Sequence, residues 1–346
     1  MRNLIRLCAF FFLLVLPACG KAPVVSAPGS SQPSNLPPET VVRNIPLAVL
    51  DKPSAEISGM AWYGDWLILL PQYPKRLSSV PGGSLYGVSK EDILAYLDGK
   101  VSQPLLPREI PIVDSGIEKS IKGFEGFEAI AFFGNRVYLA IESNPGGRMQ
   151  GYIISGTIDP NLSGIELDPA SMKAIDPQAN LSNLTDEAIL VTADEVLTFY
   201  EANGAQVNPN PIAHRFDHSL NPLTPVHMPN LEYRLTDSTP PDDHGRFWVI
   251  NYFYPGDKKL LPAKNPLSEK FPLGATHRNH PQVEQLVEML YQHGQVSLVD
   301  RAPLRLQLAD DGEARNWEGI ARLDERGFLL VTDSFPATIL GFTGYP

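Results

Sequence analysis

Five segments of the chain place a polar residue ahead of a short run of small and apolar residues, and four of those five polar residues are acids. They are Ser58, Glu128, Glu187, Asp237 and Glu318, and each is answered further on by a second polar residue: Gln72, Glu142, Glu201, Asn251 and Asp333. The set is rich in carboxylate and amide oxygen and holds no cysteine or histidine. Calcium takes about six to eight oxygen ligands, magnesium demands a tighter octahedron, and zinc prefers nitrogen and sulfur, so calcium is the expected ion. Carboxylates gathered at one point raise one another's pKa. They then require a cation, an arginine such as Arg234 or Arg322, or a purely structural role as strand caps bonded to backbone amides.

The spacing of these residues shows what must position them. Opening and closing residues are 14 positions apart in the first four copies and 15 in the fifth. Between them lie turn residues, as in Tyr63-Gly64-Asp65, Phe133-Gly134-Asn135 and Asp243-His244-Gly245, followed by apolar runs such as Val137-Tyr138-Leu139-Ala140-Ile141. Each copy therefore reads as a hairpin whose second strand is buried on both faces. Successive copies begin 70, 59, 50 and 81 residues apart. That leaves room for two further strands per copy, and a four-stranded sheet repeated about an axis is a propeller blade. The first strand of a blade lies nearest the axis and the second runs back, so opening and closing residues share one rim.

The fold class is thus all-β, a β-propeller of five blades, with a degenerate sixth as an alternative between Leu260 and Leu306. A β-sandwich leaves the repeat unexplained. The last copy has space for only three strands, and the strand-like Val41 to Leu50 is expected to supply the fourth and close the ring. Two helices are expected: one capped by Ser89 with Asp92 and running through Leu97, and one after Pro281 with Val283, Leu286, Val287 and Leu290 on a single face.

The remaining sequence concerns location. Arg2 and Arg6 precede an apolar run from Leu7 to Leu16, too short to anchor in a bilayer, and it ends in Ala18-Cys19. Residues 1–18 read as a lipoprotein signal peptide and Cys19 as the lipidated first residue of the mature chain; ordinary cleavage near Ala18 is the alternative. Residues 19–40, rich in Ser, Pro, Gly and Ala, form a flexible tether, and 41–346 form the propeller domain. The expected address is the cell envelope outside the cytoplasm, held to the membrane by the lipid, and the outer membrane where the host has one. Cys8 falls in the removed part, which excludes an internal disulfide. A net charge of -11 without a basic cluster excludes nucleic acid as the natural partner. No H-E-x-x-H or G-x-S-x-G occurs, and among the seven histidines only His244 neighbours acids within a repeat.

The segments Ile57–Ala61, Gly123–Ala131, Thr185–Ala188 and Asn316–Ala321 resemble, in order, those of the phytase-like or esterase-like β-propeller family. In the third, Asp186-Glu187 stands where that family carries an Asn-Asp pair. The resemblance implies a metal and substrate site at the channel mouth, with Glu128, Glu187, Asp237 and Glu318 as its candidates. The reaction it implies is calcium-dependent hydrolysis of an ester or phosphoester: Glu128 and Glu318 hold the ion, and Asp237 or Glu187 is the catalytic base. The competing expectation is a non-catalytic propeller that binds a ligand or protein. The absence of a basic cluster makes a multiply phosphorylated substrate the poorer choice.

Overall fold

The computed structural model describes residues 36–113, 115–310 and 312–345. The signal peptide expected at residues 1–18, Cys19 and the expected tether up to residue 35 lie outside the described residues.

After a short strand β1 (Arg43–Ile45) come five antiparallel sheets. Blade one is β2 (Ile57–Tyr63), β3 (Trp66–Pro71), β4 (Ser84–Ser89) and β5 (Arg108–Pro111). Blade two is β6 (Phe124–Phe133), β7 (Arg136–Ser143) and β8 (Gln150–Ile158), with β9 (Ile165–Leu167) and β10 (Lys173–Ile175) both paired to β8. Blade three is β11 (Asp186–Val191), β12 (Val196–Tyr200), β13 (Ile212–Phe216) and β14 (Pro222–His227). Blade four is β15 (Arg234–Ser238), β16 (Arg246–Phe253) and β17 (Val283–Gln292), with β18 (Gln295–Leu298) and β19 (Leu304–Arg305) both on β17. Blade five is β20 (Trp317–Leu323), β21 (Gly327–Thr332) and β22 (Leu340–Gly344), completed by β1.

The first strands of the blades touch in a closed cycle, β2 to β6 to β11 to β15 to β20 and back to β2. This is a five-bladed β-propeller. Adjacent blades enclose five apolar cores, one per seam, which is why the second strands are apolar on both faces. The amino-terminal segment closes the ring across three blades. Thr40 bridges Leu306 of blade four, β1 pairs with β22 from Arg43↔Phe342 to Ile45↔Leu340, and Leu47 bridges Leu105 ahead of β5. Glu39 and Thr40, the last residues of the expected tether, are already bonded to the domain: Glu39 accepts from the Thr276 amide at 2.8 Å, and the Thr40 amide donates to Arg305 O at 2.8 Å.

The capped helix is present as α1 (Lys90–Leu97), with Ser89 Oγ accepting from the Asp92 amide at 3.1 Å. The helix expected after Pro281 is instead the long strand β17. Val283, Leu286, Val287 and Leu290 fit a helical stripe, but eight consecutive residues pair with β16, and Glu284 through Met289 are buried on both faces. Burial between two seams outweighed the local period. The stretch from Leu260 to Leu306 therefore supplies the outer strands of blade four, and no sixth blade forms among the described residues.

Candidate functional site

Each inner strand carries a β-bulge at the residue that opens its repeat. Ser58 has no partner between Ile57↔Pro71 and Gly59↔Leu70. The same irregularity leaves out Glu128, Glu187 and Glu318, and in β15 it takes two residues, Thr236 and Asp237. An extra residue kinks a strand and re-aims its side chain, so four bulges turn Ser58, Glu128, Glu187 and Glu318 into the axis. The small residue after each one follows from the same crowding: a Cβ on Gly59 would lie 3.2 Å from Ala129 Cα, and one on Gly319 would lie 3.1 Å from the Met60 amide nitrogen.

These side chains line an axial funnel of about 360 Å³ to which all five blades contribute. Ser58, Glu128, Glu187 and Glu318 share it with the closing residues Gln72, Glu142 and Asp333. Glu201 and Asn251 lie beside it, fully buried, and Asp237 is also absent from its wall. The Asp237 carboxylate accepts from the amides of Ser238 and Ile320 at 2.8 Å each, and from that of Met60, so it ties blade four to blades five and one. Burial raises its pKa well above the usual range against the pull of those amides. His244 lies exposed in the β15–β16 turn, at the other end of the hairpin, and His214 of β13 faces Asp186 at 3.4 Å.

The wall also contains residues that the repeat did not single out, among them Glu56, Tyr73, Arg76, Glu125 and Asn183. A signal for some of them existed. Glu56 and Asn316 stand two residues ahead of Ser58 and Glu318, immediately before their strands begin, in equivalent places of two copies of the repeat.

Arg234, at the start of β15, is the main internal cation. Its guanidinium bonds Glu201 at 2.5 Å and Asp257 at 2.8 Å. Burial opposes its charge, but the carboxylates of Glu201, Glu187, Asp257 and Glu318 outweigh that and hold it firmly protonated. Arg322, the other candidate, belongs to the far end of β20, where it bonds Tyr345. Arg76 at the rim stacks 3.5 Å from the Tyr73 ring centroid and pairs with Glu56.

The acids outnumber these cations, and their pKa values rise. Burial, then the charge of Glu142, pushes Glu128 well up, with only the 2.9 Å bond from Gln72 Nε2 opposing. Burial, then Glu201, Glu318 and Glu128, does the same to Glu187. Burial and Asp333 raise Glu318, and burial raises Asp333 itself. Glu142 is pushed up to about 8 by burial, then by Glu201 and Glu125. Glu187 also lies within hydrogen-bond reach of Glu201, which requires one of the two to hold a proton. Glu187 Oε2 and Glu201 Oε2 are buried without a partner.

Calcium fits this wall in donor chemistry: carboxylates, amides and a hydroxyl, with buried acceptor oxygens to spare. As the side chains stand, no three acidic or histidine groups among the described residues enclose an ion, so binding requires them to draw inward.

No family profile matches the chain, and no curated protein matches it. Its fold is similar to solved glycoside hydrolases of low identity. An α-L-arabinofuranosidase from Clostridium thermocellum is 12% identical over 80% of this chain and 81% of its own, with a TM-score of 0.46. The catalytic domain of a Coprinopsis cinerea α-L-arabinofuranosidase is 8% identical over 90% and 98%, with a TM-score of 0.47. An α-L-arabinanase from Cellvibrio cellulosa is 12% identical over 83% and 92%, with a TM-score of 0.45.

Proposed function

We propose that the axial funnel is a calcium-dependent hydrolytic site for ester or phosphoester bonds. The observation that carries this reading is the convergence of Glu128, Glu187 and Glu318, from three blades, on one cavity with more carboxylates than arginines. Glu128 and Glu318 would hold the ion, with Gln72 orienting Glu128 through its side-chain amide. Calcium there would polarise the scissile group and lower the cost of gathering the acids. Glu187 is the base, because Asp237 has its carboxylate committed to backbone amides. Glu187, which lines the funnel, would take a proton from the attacking water, while the proton that the pair requires rests on Glu201. The likeness of these segments to phytase-like propellers supports the reading. Both arginines of the funnel are already paired, which favours a substrate with little charge over a multiply phosphorylated one.

A second reading is acid–base hydrolysis without an ion, favoured by a carboxyl, Glu142, that titrates near neutrality and by the open spacing of the acids. Turnover of aryl esters and aryl phosphates with calcium and with a chelator distinguishes the two. The first predicts turnover that chelation stops and Glu128→Gln abolishes; turnover indifferent to both selects the second. Calcium binding by calorimetry with no turnover of either substrate leaves a binding propeller and removes both.

Lipid attachment through Cys19, outside the cytoplasm, belongs to the same proposal. Cys19→Ser is expected to abolish incorporation of labelled fatty acid and release the protein from membranes. Label retained in that variant refutes the assignment.

A further inference from the structure

The carboxylate of Glu284, near the start of β17, is fully buried where blade four packs against blade five, and it meets donors from the segment that leads into β20. Oε1 accepts from the Arg315 amide at 2.9 Å, while Oε2 accepts from Trp317 Nε1 at 2.8 Å and from Arg315 Nε at 2.9 Å. Arg315 is itself nearly buried, and a second guanidinium nitrogen lies 2.7 Å from the same oxygen. Glu284 is absent from the funnel wall. The residues that alternate with its partners, Asn316 and Glu318, are on that wall.

The backbone of Glu284 is fixed as well. Its carbonyl accepts from the Leu306 amide at 3.0 Å, and its amide donates to His277 Nε2 at 3.3 Å. Burial lowers the His277 pKa, which keeps Nε2 free to accept, and Nδ1–H donates to Glu39 Oε1 at 2.7 Å in the amino-terminal segment. A buried ion pair adds little net stability over an apolar pair of the same shape, so what Glu284 and Arg315 supply is geometry. That geometry matters at Glu318, which stands in the funnel among like charges, Asp333 foremost. A carboxylate in such company moves away from its neighbours unless the chain on which it sits is held.

From this arrangement we infer that Glu284 is a positioning residue of the calcium site. From blade four it holds the stretch of blade five that carries Asn316 and Glu318, so that only side-chain torsions remain to be set when the ion enters. The inference rests on the reading of the funnel as an ion site, with Glu318 as one of the two ligands. Groups that orient metal ligands in this way typically carry about 10- to 100-fold in metal affinity.

The test is calorimetric titration of the full chain with calcium chloride, below the melting temperature of each protein. Glu284→Gln keeps the volume and one acceptor oxygen but turns an amide N–H toward Arg315 and Trp317, and it is expected to weaken calcium binding about tenfold or more. A role confined to stability leaves the affinity of the folded protein unmoved. Ile110→Ala, a core truncation in the outermost strand of blade one, is therefore the comparison: it should lower the melting temperature and leave calcium affinity as it is. Where Glu284→Gln fails to fold, Trp317→Phe takes its place; it gives up the indole donor, keeps the Arg315 pair, and should weaken calcium a few-fold. No calcium binding by the wild type refutes the ion site and this inference with it. Binding by the wild type with equal affinity in the folded variant, or an equal loss of affinity in Ile110→Ala, overturns the positioning role alone.

Discussion

Replacing Glu142 by Gln tests the electrostatics of the funnel most directly. Burial and the neighbouring acids Glu201 and Glu125 move the Glu142 carboxyl from an ordinary 4.5 to about 8. In the folded protein it keeps its proton to a higher pH than in the unfolded chain. Stability is therefore intact below the unfolded pKa and falls as pH rises, until the folded carboxyl has also ionised near 8. At 1.36 kcal/mol per pKa unit the full loss is about 5 kcal/mol, of which about 3 kcal/mol is present at pH 7. Glutamine keeps an acceptor for Thr185 Oγ1, which bonds Glu142 at 3.3 Å, and has no proton to lose. In chelator, Glu142→Gln should match the wild type near pH 4 and exceed it by several kcal/mol at pH 9. For a domain of this size that corresponds to about 10 °C in melting temperature. Thermal unfolding followed by circular dichroism from pH 4 to 9 measures both. Parallel curves for the two proteins, or a variant weaker at pH 9, would refute the premise that this carboxyl is buried among uncompensated acids.

The other expectations concern how the funnel and the ring are held. Arg234→Met leaves Glu201 and Asp257 without their partner and should cost about 3–5 kcal/mol in urea unfolding at pH 8, with part of the loss recovered near pH 5 as Glu201 takes up a proton. Gly126 has φ +139°, and a Cβ there would stand 2.3 Å from Gln72 Cγ. Gly126→Ala should cost about 1–3 kcal/mol by thermal unfolding and weaken calcium binding in calorimetry, because Gln72 must leave Glu128. Ile45→Ala, in the strand that closes the ring, should cost about 2–5 kcal/mol and speed cleavage of the amino-terminal segment in limited proteolysis; an unchanged cleavage rate means that β1 does not secure the ring.

The repeat was legible because it is written in local chemistry. A polar residue, a small one, a turn and a strand without polar positions recur at nearly constant spacing, and they specify a hairpin wherever the chain later places it. The closing strand was legible by the same count, since the last copy is one strand short. Helix and strand could not be separated by pattern at Val283–Gln292, because a strand buried on both faces has no alternation to show, and pairing with β16 along its length decided it.

The sequence by itself determined five hairpins, a ring closed by its own amino-terminal strand, and an excess of acids at one rim. Only the tertiary structure decided which acids face the axis. The bulges at Glu128, Glu187 and Glu318 turn each side chain into the funnel, whereas in β15, where Thr236 and Asp237 together face Ile250, Asp237 goes to the backbone amides of its neighbours. A bulge is a mismatch between two strands, so it exists only once they have paired. The same holds for Arg234 and Arg322, equivalent as charges in the chain and separated only by the ends of the strands that carry them.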